Sequence, residues 1–408
     1  MQQGSVLPPP PPESGTAATG SDPKGSARFG MSSLFSSLTS LLPLLAISLV
    51  IAVLVLVDSG VQGLSLFVLG GALGGLFLLF QYGFASGWRR WLETGDGLFV
   101  ATHFLLVGLC ALVFIPASHG VFDGTFFEVS ARGTIAPVAT SLIIGAFLFG
   151  IGMQLANGCG SGVLFTFGGG SARMLVALPF FIVGSLLGSF LVPAALGWGS
   201  LGQIEIAGGG SWAIQLLANL VLIAIVGGWF FWRRDEEKAR QLGQKLIIGS
   251  FAIAFLCWLV LLVSGHPWGV TFGFTLWGAK LASALSVPVS DFAFWQWSGP
   301  ARALEQSLLA NVSSLMNIGM LLGAAMAAVI GKNYARASWP NKRQMLAAAV
   351  GGVLMGIGAR LAFGCNIGAF LAGIASGSLH GWVWFVMAMA GSWLALRLRP
   401  YFGFEKEV

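Results

Sequence analysis

An apolar run of about twenty residues recurs ten times along this chain of 408 residues. That is the length an α-helix needs to cross the hydrocarbon core of a bilayer. By this rule the spans fall near 36–57, 62–86, 98–116, 138–157 and 173–195 in the first half. In the second half they fall near 212–232, 246–264, 306–330, 344–363 and 380–398. Only 9% of the residues are charged, against about a quarter in a soluble domain, too few to cover a surface facing water. The 59 glycines suit helices that approach closely in lipid. The expected fold class is an all-α polytopic membrane protein.

The remaining charges set the topology. Lys and Arg gather before the first span (Lys24, Arg28), after the second (Arg89, Arg90) and before the fifth (Arg173). They gather again over 233–245, 332–343 and 397–406. The other loops carry Asp58, Asp123, Glu128, Arg132 and Glu205, and are poor in Lys and Arg. Counting ten spans from a cytoplasmic N-terminus puts every basic loop on one side, as the positive-inside rule requires. The net charge of +6 is therefore a matter of topology, and no basic patch interleaved with aromatics points to nucleic acid. Residues 1–32 are rich in Pro, Gly and Ser, with Pro8 to Pro12 in a row; they are expected to be a disordered cytoplasmic tail. No basic region opens the chain, which argues against a cleaved signal peptide.

Inside these spans lies an internal repeat. Gly150-Ile151-Gly152-Met153-Gln154-Leu155-Ala156-Asn157-Gly158-Cys159 aligns without a gap on Gly356-Ile357-Gly358-Ala359-Arg360-Leu361-Ala362-Phe363-Gly364-Cys365. Gly145 falls on Gly351 and Gly162 on Gly368 at the same offset. The span count gives the fourth and ninth spans opposite directions, so the two copies are expected to be inverted, a plan common among transporters. On this reading 33–200 is the first five-helix repeat, 201–400 the second, and 401–408 a C-terminal tail. A weaker match falls where that topology requires it, between Tyr82-Gly83-Phe84-Ala85-Ser86-Gly87-Trp88 and Trp268-Gly269-Val270-Thr271-Phe272-Gly273-Phe274. The stretch from Trp268 to Val287 is either re-entrant or a further span. Its Lys280 either binds an anion or snorkels to the interface.

The candidate site is the pair of glycine-cysteine turns, with Gly158, Cys159, Gly160, Gly364, Cys365 and Asn366, together with Lys280. Glycines permit a helix break, and the short runs beyond the cysteines read as half-helices. A half-helix N-terminus offers N–H groups that attract anions. A thiol is a weak donor with a soft, polarizable sulfur, suited to a sulfur or selenium atom better than to hard sulfate oxygens. Cys110 and Cys257 read as small core residues. Arg360, which stands where the first copy has Gln154, lies within the ninth span, where an arginine is a functional candidate. The cysteines form no C-x-x-C, and His103, His119, His266 and His380 show no ligand spacing, so neither a zinc site nor a cofactor is expected.

These turns, each after a Gly-x-Gly span, resemble the YeeE/YedE family of sulfur transporters. So do Pro267-Trp268-Gly269-Val270-Thr271 and Leu276-Trp277-Gly278-Ala279-Lys280. The resemblance covers roughly 62–398. It implies a bacterial inner-membrane importer of thiosulfate or a related sulfur or selenium species, which Cys159 and Cys365 would relay through S–H contacts. It also implies a small cytoplasmic sulfur-carrier protein as a partner. One position departs: Gly83 stands where family members commonly carry a third cysteine. The alternative is a membrane sulfurtransferase or thiol oxidoreductase using Cys159 and Cys365, for which no base or cofactor motif is evident. A channel for soft metal ions would need acidic residues that these turns lack.

The charge asymmetry makes the 200–211 loop external. A single cysteine introduced as Glu205→Cys is expected to react with a membrane-impermeant thiol reagent from outside intact cells. Labelling from the cytoplasmic side alone would overturn this topology.

Overall fold

The computed structural model describes residues 31–124, 129–331 and 339–404, with side chains from residue 41 onward. The proposed N-terminal tail lies outside these residues up to residue 30, as do Glu128 of one loop, Lys332 and Arg336 of another, and 405–408 of the C-terminal tail. In chain order the helices are α1 (Met31–Phe80), α2 (Phe84–Thr94), α3 (Leu98–Ser118), α4 (Thr140–Ala156), α5 (Gly160–Gly168), α6 (Ala172–Ala195) and α7 (Trp212–Trp232). They continue with α8 (Glu236–Ser264), α9 (Thr271–Ala284), α10 (Ser298–Glu305), α11 (Val312–Ile330), α12 (Lys342–Leu361), α13 (Ala372–Ala375) and α14 (Leu379–Leu398). A π-helical turn, Asn366–Leu371, leads into α13. The short strands β1 (Pro137–Ala139) and β2 (Ser200–Gln203) pair antiparallel.

Nine helical stretches among the described residues are long and apolar enough to cross a membrane. The first of them takes in two expected spans, because α1 runs on through a break at Gly60, whose backbone is left-handed at φ 63°. Exposed faces are apolar: Val57 on α1, Leu217 and Ile225 on α7, and Leu281 on α9 are each more than 60% exposed. Such surface is stable only against lipid or protein. The chain is thus an all-α polytopic membrane protein.

Several span limits differ from the sequence reading. The expected 62–86 span stops at Phe80, because Gln81 turns left-handed at φ 52° and α2 starts afresh at Phe84. Helix α8 begins ten residues before the expected 246, because Asp235 caps it: its carboxylate accepts from Lys238 N–H at 3.1 Å, with Glu236 and Glu237 in the first turn, a favourable setting for carboxylates. Helix α11 starts at Val312 rather than 306, where Asn311 Oδ1 accepts from Ser314 N–H at 3.0 Å. The apolar 268–287 stretch yields α9, 14 residues long, or about 21 Å at 1.5 Å per residue.

Glycine sets the helix spacing. On α1 and α11, which run parallel, a methyl at Gly70 or Gly74 would fall on the backbone of Met316 or Met320, and one at Gly323 on Gly71. Helices α4 and α12 cross antiparallel. A Cβ at Gly145 would lie 2.7 Å from Gly358 O, and one at Gly351 would lie 2.7 Å from Gly152 O. These are corresponding contacts, since Gly145 aligns with Gly351 and Gly152 with Gly358. Helix α12 meets α6 in the same way through Gly352, Gly356 and Gly184, while Gly150 of α4 and Gly391 of α14 touch each other's helices. Backbones this close gain dispersion contact that lipid cannot offer.

Gly74→Leu is expected to destabilise the protein by about 1–3 kcal/mol or more, since backbone rather than a flexible side chain opposes it. Gly228→Leu, which faces open space, should be close to neutral. Thermal unfolding of the two purified variants in detergent checks this; equal stability would remove the close-packing argument.

Candidate functional site

The site grows from two helix interruptions. Helix α4 ends at Ala156, where Asn157 turns left-handed (φ 64°, ψ 32°) and sends its N–H back to Met153 O. Gly158 N–H also reaches Met153 O, at 3.1 Å. Cys159 is then extended (φ −92°, ψ −172°) and caps α5. Its Sγ accepts from Gly162 N–H at 3.3 Å and lies 3.5 Å from Ser161 Oγ. Sulfur thus does what a Ser or Asp oxygen does at most helix starts.

The second interruption follows the same path. Helix α12 ends at Leu361, Phe363 turns left-handed at φ 59°, and Gly364 N–H reaches Ala359 O at 2.9 Å. Gly364 sits at φ 156°, and a Cβ there would lie 2.8 Å from Ala369 N, so only glycine fits. Cys365 is extended (φ −115°, ψ −164°) at the start of the π-helical turn, and the N–H groups of Ile367 and Gly368 face its sulfur. Both thiols are essentially inaccessible, at 1% and 0% exposure.

Two more helix starts meet these turns. The N–H of Phe84, first residue of α2, is directed at Cys159 Sγ. Gly160, first residue of α5, lies against Cys365: a Cβ there would be 2.9 Å from Cys365 Sγ and 3.6 Å from the Thr271 methyl. Thr271 opens α9. Phe84, Gly160, Thr271 and Asn366 thus bring four helix starts to one place. Helix N-termini carry partial positive charge, so the place favours an anion. Among the described residues no His, Asp or Glu hydrogen-bonds either thiol, and no group of three His, Cys, Asp or Glu could hold a metal ion.

Six of the seven expected residues lie at this place. Gly158 packs against Met174, with 3.3 Å from its Cβ position to Met174 Cε. Asn366 is fully buried, and neither of its amide heavy atoms has a partner. Lys280 lies elsewhere: its ammonium donates to Gln306 O at 2.7 Å. It sits nine residues beyond Thr271, about 13 Å along α9. Gly83 precedes Phe84, and a Cβ there would meet only the Ser86 hydroxymethyl, at 2.7 Å from Oγ. The sequence did not single out Thr271, the Phe84 N–H or His103. The His103 ring stacks on Phe84 with centroids 4.3 Å apart, and both of its nitrogens are buried without a partner. Only the weaker 82–88 and 268–274 match could have signalled the first two. Cys110 and Cys257 lie fully buried beside one another.

Comparison with known proteins follows the same residues. A family model described as sulphur transport matches residues 81–394. The chain is 35% identical over 143 residues to "Probable transporter YedE" of Escherichia coli K12, a match covering 34% of each chain. It spans only about a third of the length of that relative. It is 27% identical over 270 residues to "Thiosulfate transporter TsuA" of Spirochaeta thermophila, covering 62% of this chain and 75% of that one. With "Thiosulfate transporter TsuA" of Escherichia coli K12 it is 26% identical over 265 residues, covering 62% and 72%. These relatives are named as transporters rather than enzymes. A family model that spans most of the chain and takes in both glycine-cysteine turns places this protein in the sulphur transport family.

Proposed function

We propose that this chain imports an inorganic sulfur-containing anion of the thiosulfate kind, possessing both a soft sulfur and charged oxygens, through a pathway at the two glycine-cysteine turns. One observation carries the reading: two buried thiols, at matching positions of an internal repeat, each stand at a helix start where others converge, and the Cys159 sulfur caps its own. The N–H groups favour a negative charge, and the S–H groups add a soft contact for sulfur. The names of the TsuA relatives support the same substrate class.

The architecture that goes with it is a pair of inverted repeats over 33–200 and 201–400. Support comes from the antiparallel crossing of α4 and α12, where Gly145 meets Gly358 and Gly152 meets Gly351. Exchanging the two copies maps each contact onto the other, as a pseudo-twofold axis requires. In this reading α2, α5, α9 and the Asn366–Ala375 stretch are re-entrant half-helices, and irregular backbone at depth survives because it lines a pathway. The termini face the cytoplasm of a bacterial inner membrane, and a small sulfur-carrier protein receives the cargo there.

Uptake of radiolabelled thiosulfate into proteoliposomes tests the reading. Cys159→Ser keeps an acceptor for Gly162 N–H, so the α5 cap survives while the soft sulfur is lost. It should fold and lower thiosulfate uptake about two- to tenfold, the worth of one hydrogen bond; Cys365→Ser should do the same. Gly160→Ala, whose methyl would crowd Cys365 Sγ, should also slow uptake. A Cys159→Ser/Cys365→Ser double variant transporting at the wild-type rate would return both thiols to the role of small core residues.

A further inference from the structure

The two copies of the repeat differ by one charge. Gln154 of α4 and Arg360 of α12 stand at matching positions, five residues before Cys159 and Cys365. Gln154 Nε2 donates to Ala85 O at 3.1 Å, and Arg360 Nη2 donates to Thr271 Oγ1 at 2.7 Å. Ala85 and Thr271 match as well, in the first turns of α2 and α9. The two side chains therefore make corresponding contacts, and only one of them is cationic.

That cation reaches a residue that borders the same glycine as the Cys365 thiol. Thr271, which Arg360 bonds, has its methyl 3.6 Å from the same point on Gly160 that lies 2.9 Å from Cys365 Sγ. Arg360 belongs to a candidate membrane span, where an arginine is costly unless its charge and its N–H groups are matched. Among the described residues no carboxylate forms an ion pair with it. Its buried Nε has no hydrogen-bond partner, its stem packs against Gly188 of α6, and its guanidinium carbon lies 5.9 Å from the Phe272 ring centroid. Next to Cys365, Asn366 is fully buried with both amide heavy atoms unpartnered. Buried polar atoms normally find partners. Here a cation without a counter-ion and a buried amide whose Nδ2 donor has no partner lie about the Cys365 turn.

We propose that Arg360, with Thr271 and Asn366, forms an oxyanion subsite that holds the charged oxygen end of the transported anion while its sulfur end rests on Cys365. This rests on the sulfur-anion reading above and adds which residue supplies the charge. It divides the recognition. A guanidinium bonds the oxygens that thiosulfate and sulfate share, in the forked geometry that suits oxyanions. The thiol contributes the preference for sulfur. It also makes the pathway electrostatically one-sided, because Gln154 offers the first copy no such charge.

The test is equilibrium binding of radiolabelled thiosulfate and of sulfate to the purified full-length protein in nanodiscs, with thermal unfolding of each variant alongside. Arg360→Gln copies the residue at the matching position and keeps an amide to reach Thr271. It should weaken binding of both anions about tenfold or more, the worth of a charge-assisted hydrogen bond, and Arg360→Lys should recover part of that. Thr271→Asp guards against a folding defect. A carboxylate at the α9 N-terminus is favourable and would pair with Arg360, so stability should hold while binding of both anions falls. Cys365→Ser should instead reduce the preference for thiosulfate over sulfate. Folded Arg360→Gln or Thr271→Asp protein that binds both anions as tightly as wild type overturns the subsite and leaves the sulfur-anion reading standing. Wild-type protein that binds neither anion overturns that reading, and the subsite with it.

Discussion

A backbone N–H or C=O inside a bilayer has no water to bond, so a helix interrupted there must satisfy its own loose groups. Three candidate spans of this chain are interrupted part-way, at 81–83, 157–159 and 362–365. Each is closed locally. Tyr82 N–H returns to Phe77 O, Gly158 N–H to Met153 O and Gly364 N–H to Ala359 O. The next helix then begins afresh, and at α5 the Cys159 sulfur caps it. The demand that every backbone group be satisfied thus places a thiol and a set of N–H groups together at the centre. The same demand explains why left-handed residues, Gln81, Asn157 and Phe363, stand at these points.

Interruptions of this kind persist only in a rigid frame, and glycine provides it. Where Gly74 meets Met320, or Gly145 meets Gly358, backbones touch without intervening side chains. Lipid is as apolar as leucine, so burial alone does not drive helices together in a membrane; close contact does. The long helices α1, α4, α6, α11, α12 and α14 form these seams. The short helices α2, α5 and α9, bounded by aromatics such as Phe84, Phe274 and Phe370, lie among them. Phe370 packs edge-on against Phe84 and Trp88, tying the Cys365 turn to the start of α2.

Pseudo-symmetric sites built from repeats start with equal halves, and differences between the halves are where selectivity can enter. In this chain the backbone path through the two cysteine turns is nearly the same, while the side chains one turn earlier are not. A neutral glutamine holds one helix start and a guanidinium holds the other. In the proposed reading, the shared part of the design supplies the pathway and the unshared part chooses the charge of what passes.

How much was legible in the sequence can be read at particular residues. Span length, charge placement and the repeat about Cys159 and Cys365 are one-dimensional signals, because hydrophobic thickness and the glycine-cysteine spacing are written along the chain. They were enough for the fold class and the family, and they singled out the two cysteine turns as the candidate site. Span limits that hinge on a cap or a turn, such as Phe80 before Gln81 or Val312 after Asn311, were misplaced, since hydropathy does not register hydrogen bonds. The sequence could not tell that Lys280 turns to Gln306 O while Arg360 reaches Thr271, 89 residues away in the chain. Both are cations in apolar stretches; only the packing of α9 against α6, α11 and α12 decides which one reaches Thr271 at the helix start near the cysteine turns. Periodicity and composition are local properties of the chain, whereas the partner of a buried charge is fixed by segments brought together in three dimensions.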